Sequence, residues 1–155
     1  MNVTKYNTLL NGTKLELVKE KTVRYSADKL DNPDVIVECM NHVFNLNKRS
    51  EEYLYLLAFN SKLRLQGVFE VSHGMVNMSV ADPAQIYKRA LLCNATSIVL
   101  VHNHPSGDPT LSNADYDMTD RCKKAGEIIG INLLDHIIVG SGEGLSYYYS
   151  ITQRG

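Results

Sequence analysis

At 155 residues, with 44% apolar and 21% charged side chains, the chain suits one globular domain with a proper core. A formal net charge of −1 gives no electrostatic footprint for a phosphate backbone, and no apolar run approaches the roughly 20 residues that a membrane-spanning helix needs. Three widely spaced cysteines (Cys39, Cys93 and Cys122) and an N-terminus without the apolar core of a signal peptide point to buried thiols in a reducing cytoplasm.

Residues 1–31 read as an N-terminal extension with little pattern beyond Leu15-Glu16-Leu17-Val18, which alternates as a short strand. Asn32-Pro33 sets a helix cap before a first-turn proline. Val35, Ile36, Cys39, Met40, Val43 and Phe44 then recur at helical spacing to about Leu46, and His42 falls on the exposed side. A polar break, Asn47-Lys48-Arg49-Ser50, precedes the acidic pair Glu51-Glu52. Two strand-like runs follow, Tyr53–Phe59 and Leu63–Val71, joined by Asn60-Ser61-Lys62 as a hairpin. From Val71 to Val80 the chain continues as strand and turn, with His73 a turn residue beside Gly74. Asp82-Pro83 repeats the cap-then-proline signal and opens a helix with Ile86, Ala90, Leu91 and Cys93 on its inner face.

Ile98-Val99-Leu100-Val101 is an apolar, β-branched run of the kind found in buried strands. It ends in His102-Asn103-His104. Side chains alternate along a strand, so His102 and His104 share one face and Asn103 points the other way. Pro105-Ser106-Gly107-Asp108-Pro109 breaks the strand. Ser112 and Asp115 then form the S-x-x-D version of a capping box at a helix start. Two imidazoles and one carboxylate converge across this loop. Zinc takes His nitrogen and Asp oxygen, and catalytic sites keep one position open for water, so His102, His104 and Asp115 read as a catalytic zinc site. Asp108 stands as the alternative acid, either a ligand or a tether of the loop. Asp117 and Asp120 turn away along the helix.

That helix runs to about Ile129 and stops at Gly130. Ile131–Val139 is a further buried strand. It carries Asp135 and His136 on opposite faces, where either one can orient a metal-binding imidazole or serve as a polar core residue. Ser141-Gly142-Glu143-Gly144 reads as a turn and Tyr147-Tyr148-Tyr149 as a last strand. The order of strand, helix and strand implies crossover connections and a mixed α/β sheet.

The run H-N-H-P-S-G-D-P-T-L-S-N-A-D resembles the JAMM pattern of the JAB/MPN+ metalloproteases, which is H-x-H, seven residues, S, two residues, D. Its H-N-H-P-S-G core is similar to the RadC branch, as are Leu134–Gly140 and Tyr87–Leu91. The resemblance extends from Asn32 to the C-terminus and departs at Leu111, where RadC-type chains commonly carry proline.

The resemblance implies a JAB/MPN domain over residues 32–155, cytidine-deaminase-like, with a mixed curved sheet flanked by helices. It implies a zinc-dependent hydrolase of a peptide, isopeptide or other amide bond. The general base of the JAB/MPN+ pattern falls on Glu51-Glu52, with Glu52 the better alignment. Ser112 would donate a hydrogen bond to the oxyanion. Two alternatives stand beside it: a DNA-repair or DNA-processing factor, disfavoured by the near-neutral charge, and a non-catalytic MPN scaffold, disfavoured because every ligand position is filled.

Overall fold

The computed structural model describes residues 1–74, 82–141 and 148–154. The expected strand and turn beyond Gly74, the turn at 142–144 and Tyr147 lie outside the described residues. The chain opens with β1 (Asn2–Asn11) and β2 (Lys14–Arg24), an antiparallel hairpin much longer than the single strand expected around Leu15. Then come α1 (Pro33–Phe44), a 3-10 turn at Leu46–Lys48, β3 (Tyr53–Phe59), β4 (Leu65–His73) and α2 (Pro83–Leu92). The second half is β5 (Ser97–Asn103), α3 (Asn113–Ile129), β6 (Asn132–Val139), β7 (Tyr148–Ser150) and α4 (Ile151–Arg154).

The strands form one mixed seven-stranded sheet in the order β2-β1-β4-β3-β5-β6-β7, flanked by helices. β3 pairs antiparallel with both β4 and β5, so β4 and β5 run the same way and α2 is the crossover between them. β5 and β6 are parallel, joined through α3. Parity along the strands sorts the core into two halves. Tyr55, Leu57, Phe59, Val99, Val101, Ile137 and Val139 pack with Ile36, Met40 and Phe44 of α1. Leu54, Leu56, Ala58, Ile98 and Leu100 pack with Ile86 and Ala90 of α2 and with Met118 and Cys122 of α3. With both faces covered, all seven residues of β5 are buried, which is why that strand reads as a continuous apolar run.

Both cap-then-proline signals are realised. The Asn32 side chain accepts the Val35 N–H at 3.1 Å, and that of Asp82 accepts the Ala84 N–H at 3.0 Å. The inner face of α2 is Ile86, Tyr87 and Ala90, whereas Leu91 is 58% exposed. Tyr87 is drawn inward because its hydroxyl can donate to the Cys122 carbonyl at 2.7 Å, an option an aliphatic side chain lacks. β4 starts at Leu65 rather than Leu63, since the Asn60 side chain accepts the N–H groups of Lys62 and Arg64 and holds the intervening residues in a turn.

Gly126 marks the tightest packing of α3 on the rest. A Cβ there would lie 2.3 Å from the Ile131 carbonyl oxygen and 2.5 Å from the Tyr87 hydroxyl. Alanine would favour the helix by about 1 kcal/mol on propensity alone, but a clash with backbone forces a shift that costs about 1–3 kcal/mol or more. Gly126→Ala is therefore expected to lower stability. Urea unfolding should show a reduced midpoint with an unchanged m-value, whereas an increase would mean α3 can slide freely on β6.

Candidate metal centre

At the end of β5 the apolar run gives way to His102, fully buried on the sheet face that receives α3. His104 follows two residues on, one step past the strand, its N–H donating to the Val139 carbonyl at 2.9 Å. The capping box then sets the first turn of α3. Ser112 Oγ accepts the Asp115 N–H at 3.1 Å, and Asp115 Oδ2 accepts the Ser112 N–H at 2.9 Å. The same reciprocal cap fixes the direction of the Asp115 carboxylate, which is wholly buried between the two imidazoles. Its Oδ1 lies 3.1 Å from His102 Nε2 and its Oδ2 3.2 Å from His104 Nε2, while the two imidazole nitrogens are 3.0 Å apart.

The fourth side chain is Glu52. The register of β3 on β5 pairs Leu54 with His102, and Glu52 and His104 lie two residues beyond that pair, just outside the two strands. Glu52 Oε1 lies 3.6 Å from His102 Nε2 and 3.9 Å from His104 Nε2, farther back than Asp115. Glu51, of opposite parity, turns out to solvent with its carboxylate 3.7 Å from His73. Asn103, on the far face of β5, binds the segment that carries both acids, since its Oδ1 accepts the Tyr53 N–H at 2.7 Å and its Nδ2 donates to the Glu51 carbonyl at 3.0 Å.

Two contacts turn the histidines. The His104 Nδ1–H donates to the Asp108 carbonyl at 2.8 Å, which directs Nε2 into the cluster. His102 Nδ1 meets His136 Nε2 at 2.7 Å, and His136 Nδ1 meets the Thr119 hydroxyl at 2.6 Å. Asp108 thus contributes its backbone, and its carboxylate is taken up by the Thr110 N–H and hydroxyl within the loop. Asp120 pairs with Lys124 on the outer surface of α3, and Asp117 is exposed there. Asp135 faces the other side of the sheet, accepting hydrogen bonds from Ser150 and the Thr152 N–H. Sequence reasoning missed Thr119 and the role of Asn103. Thr119 had a signal, being one helical turn beyond Asp115 on the same face.

Glu52, His102, His104 and Asp115 offer donor atoms within 4.8 Å of one another, a set that could hold a metal ion. Asp115 Oδ1 supplies a test of fit. It is buried and accepts no hydrogen bond among the described residues, a costly state for a carboxylate oxygen that a cation among these donors would relieve. Nitrogen and carboxylate oxygen together suit zinc. The charge balance agrees. Burial would raise the Asp115 carboxyl, but the imidazoles of His102 and His104 outweigh it and hold it far below the usual carboxylate range. Burial would lower His104, yet the Asp115 carboxylate and the Asp108 carbonyl raise it. For Glu52 burial wins, pushing its carboxyl up against the opposing charge of His104. A cleft of about 350 Å³ opens over the cluster, lined by Glu51, Glu52, His104, Ser106, Ser112 and Asp115 among others.

Residues 30–155 match the family model of the RadC-like JAB domain. A UPF0758 protein of Geotalea uraniireducens is 38% identical over 122 residues, covering 79% of this chain and 53% of the relative. One from Pelobacter propionicus is 39% identical over 128 residues, covering 83% of this chain and 53% of the relative. A third, from Finegoldia magna, is 35% identical over 148 residues, covering 94% of this chain and 65% of the relative. The chain spans about half the length of the first two of these relatives.

The raised Glu52 carboxyl has a consequence for stability. Its ionised form is opposed in the fold but free in the unfolded chain, so its cost is absent below the unfolded value of about 4.3 and complete above the folded one. In chelator-treated protein Glu52→Gln is therefore expected to raise the urea midpoint near pH 7.5, with the gain shrinking toward pH 4. A gain that does not change with pH would mean that packing, and not charge, is responsible.

Proposed function

The chain belongs to the RadC-like JAB domain family, and on that premise we propose that it is a zinc-dependent hydrolase of a peptide, isopeptide or other amide bond. The observation that carries this reading is the buried Asp115 carboxylate, which faces two imidazole nitrogens 3.0 Å apart and whose Oδ1 has no hydrogen bond among the described residues. His102, His104 and Asp115 would hold the ion. Bound there, zinc supplies a Lewis acid that polarises a carbonyl and makes a water acidic near neutral pH.

The rest falls to side chains. Glu52 stands off from the histidines and would accept the proton of the attacking water, then deliver it to the departing amine. Its raised pKa brings it closer to neutrality, which suits both halves of that task. Ser112 accepts the Asp115 N–H through its oxygen, so its own hydroxyl hydrogen remains available to the carbonyl oxygen as that atom gains charge. The strand, the helix cap and the Asn103 clamp position these groups before substrate arrives, so little reorganisation opposes the reaction. The cleft they share would admit the chain flanking the scissile bond.

Metal analysis beside hydrolysis assays tests the reading. Wild type is expected to take up one zinc per chain, and His104→Ala none. Glu52→Gln is expected to keep its zinc while hydrolysis of an amide or isopeptide substrate falls by about a hundred- to ten-thousand-fold. Loss of zinc in Glu52→Gln would make Glu52 a fourth ligand closing the shell, and the hydrolase reading would fall. Ser112→Ala should lower turnover by about a hundredfold and stability by about 1 kcal/mol through the lost cap.

A further inference from the structure

A neutral imidazole carries one hydrogen on one of two nitrogens, and only the bare nitrogen can bind a metal. Which nitrogen of His102 is bare is decided two residues away. The Thr119 hydroxyl lies 2.7 Å from the Asp115 carbonyl oxygen, its own i−4 acceptor in α3. A carbonyl oxygen has no hydrogen to give, so Thr119 must donate. Its single hydrogen is then spent, and toward His136 Nδ1, at 2.6 Å, Thr119 can only accept. His136 therefore carries its hydrogen on Nδ1 and presents a bare Nε2. At 2.7 Å from that atom, His102 Nδ1 must be the donor. Both rings are fully buried, and among the described residues no carboxylate lies within ion-pair distance of His136 to hold a second proton there. His102 Nε2 is left bare, 3.1 Å from Asp115 Oδ1.

We infer that Thr119, acting through His136, is the positioning residue that locks His102 in the tautomer able to bind a metal. The inference rests on the proposed metal site and adds residues that the H-x-H motif does not contain. α3 serves the centre twice over one turn: Asp115 offers its carboxylate to the ion, and its carbonyl anchors the chain of donors that orients the ligand opposite. Direction runs one way along this chain, because the backbone carbonyl at its end cannot reverse it. In Thr119→Val the shape is kept and the acceptor is lost. The His136 hydrogen then moves to Nε2, where it still finds His102, and the His102 hydrogen is displaced to its own Nε2, the atom that would hold the metal.

Two measurements on the full chain decide it. Long-range nitrogen–proton NMR of the metal-free protein should find His102 protonated at Nδ1 in wild type and in Thr119→Ser, and at Nε2 in Thr119→Val. Competition between the protein and a chromophoric chelator for zinc should show about a 10- to 100-fold weaker affinity in Thr119→Val, with Thr119→Ser close to wild type. An unchanged His102 tautomer in Thr119→Val, or wild-type zinc affinity there, would overturn the inference. So would an equal loss in Thr119→Ser, which would trace the effect to the methyl group and not the hydroxyl. If wild type bound no zinc the hydrolase reading would fail by itself, and the tautomer measurement would still decide this point.

Discussion

A carboxylate with no exposure, held between two imidazoles by the backbone of its own helix cap, is the constraint on which the rest of this structure depends. Burying an ionised group is costly unless it is paired and hydrogen-bonded. Asp115 meets part of that requirement through the Ser112 N–H and leaves Oδ1 without a hydrogen bond, beside His102. The protein tolerates this because α3 is held rigidly elsewhere, by Met118 and Cys122 in the core and by the close approach of Gly126 to Ile131 and Tyr87. An electron-rich site in an enclosed position, with its supports set in advance, is the arrangement expected where a cation is to be gripped.

The sheet supplies the other half. Because β5 is covered on both faces, alternate residues of one strand serve two different purposes. His102 enters the site on the α3 side while Asn103 reaches through the opposite side to fasten residues 51–53. The antiparallel register of β3 and β5 then brings Glu52, and not Glu51, over the imidazoles. A slip of one residue would turn Glu52 away from the imidazoles and bring Glu51 toward them. Hydrogen bonding within the sheet and chemistry above it are thus controlled by the same pairing.

Much of this was legible in the chain. Continuous apolar runs and the proline-capped helix starts located the central elements, and the spacing of His102, His104, Ser112 and Asp115 brought the donor set to one place. The N-terminal hairpin was legible only at Leu15–Val18, because the rest of Lys14–Arg24 is largely exposed and carries charges on both faces. Tyr87 was passed over for Leu91 because periodicity counts apolar area and takes no account of a hydroxyl with a carbonyl within reach.

Local order along the chain determined which residues would be strand, cap and loop, and hence that two imidazoles and an acid would meet, since alternation and capping depend on near neighbours alone. Only the tertiary structure decided which glutamate faces them, that Asp108 contributes a carbonyl and not a carboxylate, and that His136 and Thr119 stand behind His102. Apart from the His104–Asp108 contact, four positions along one loop, these contacts join residues 17 to 50 positions apart. They are set by strand register and helix docking, which no short window of sequence contains.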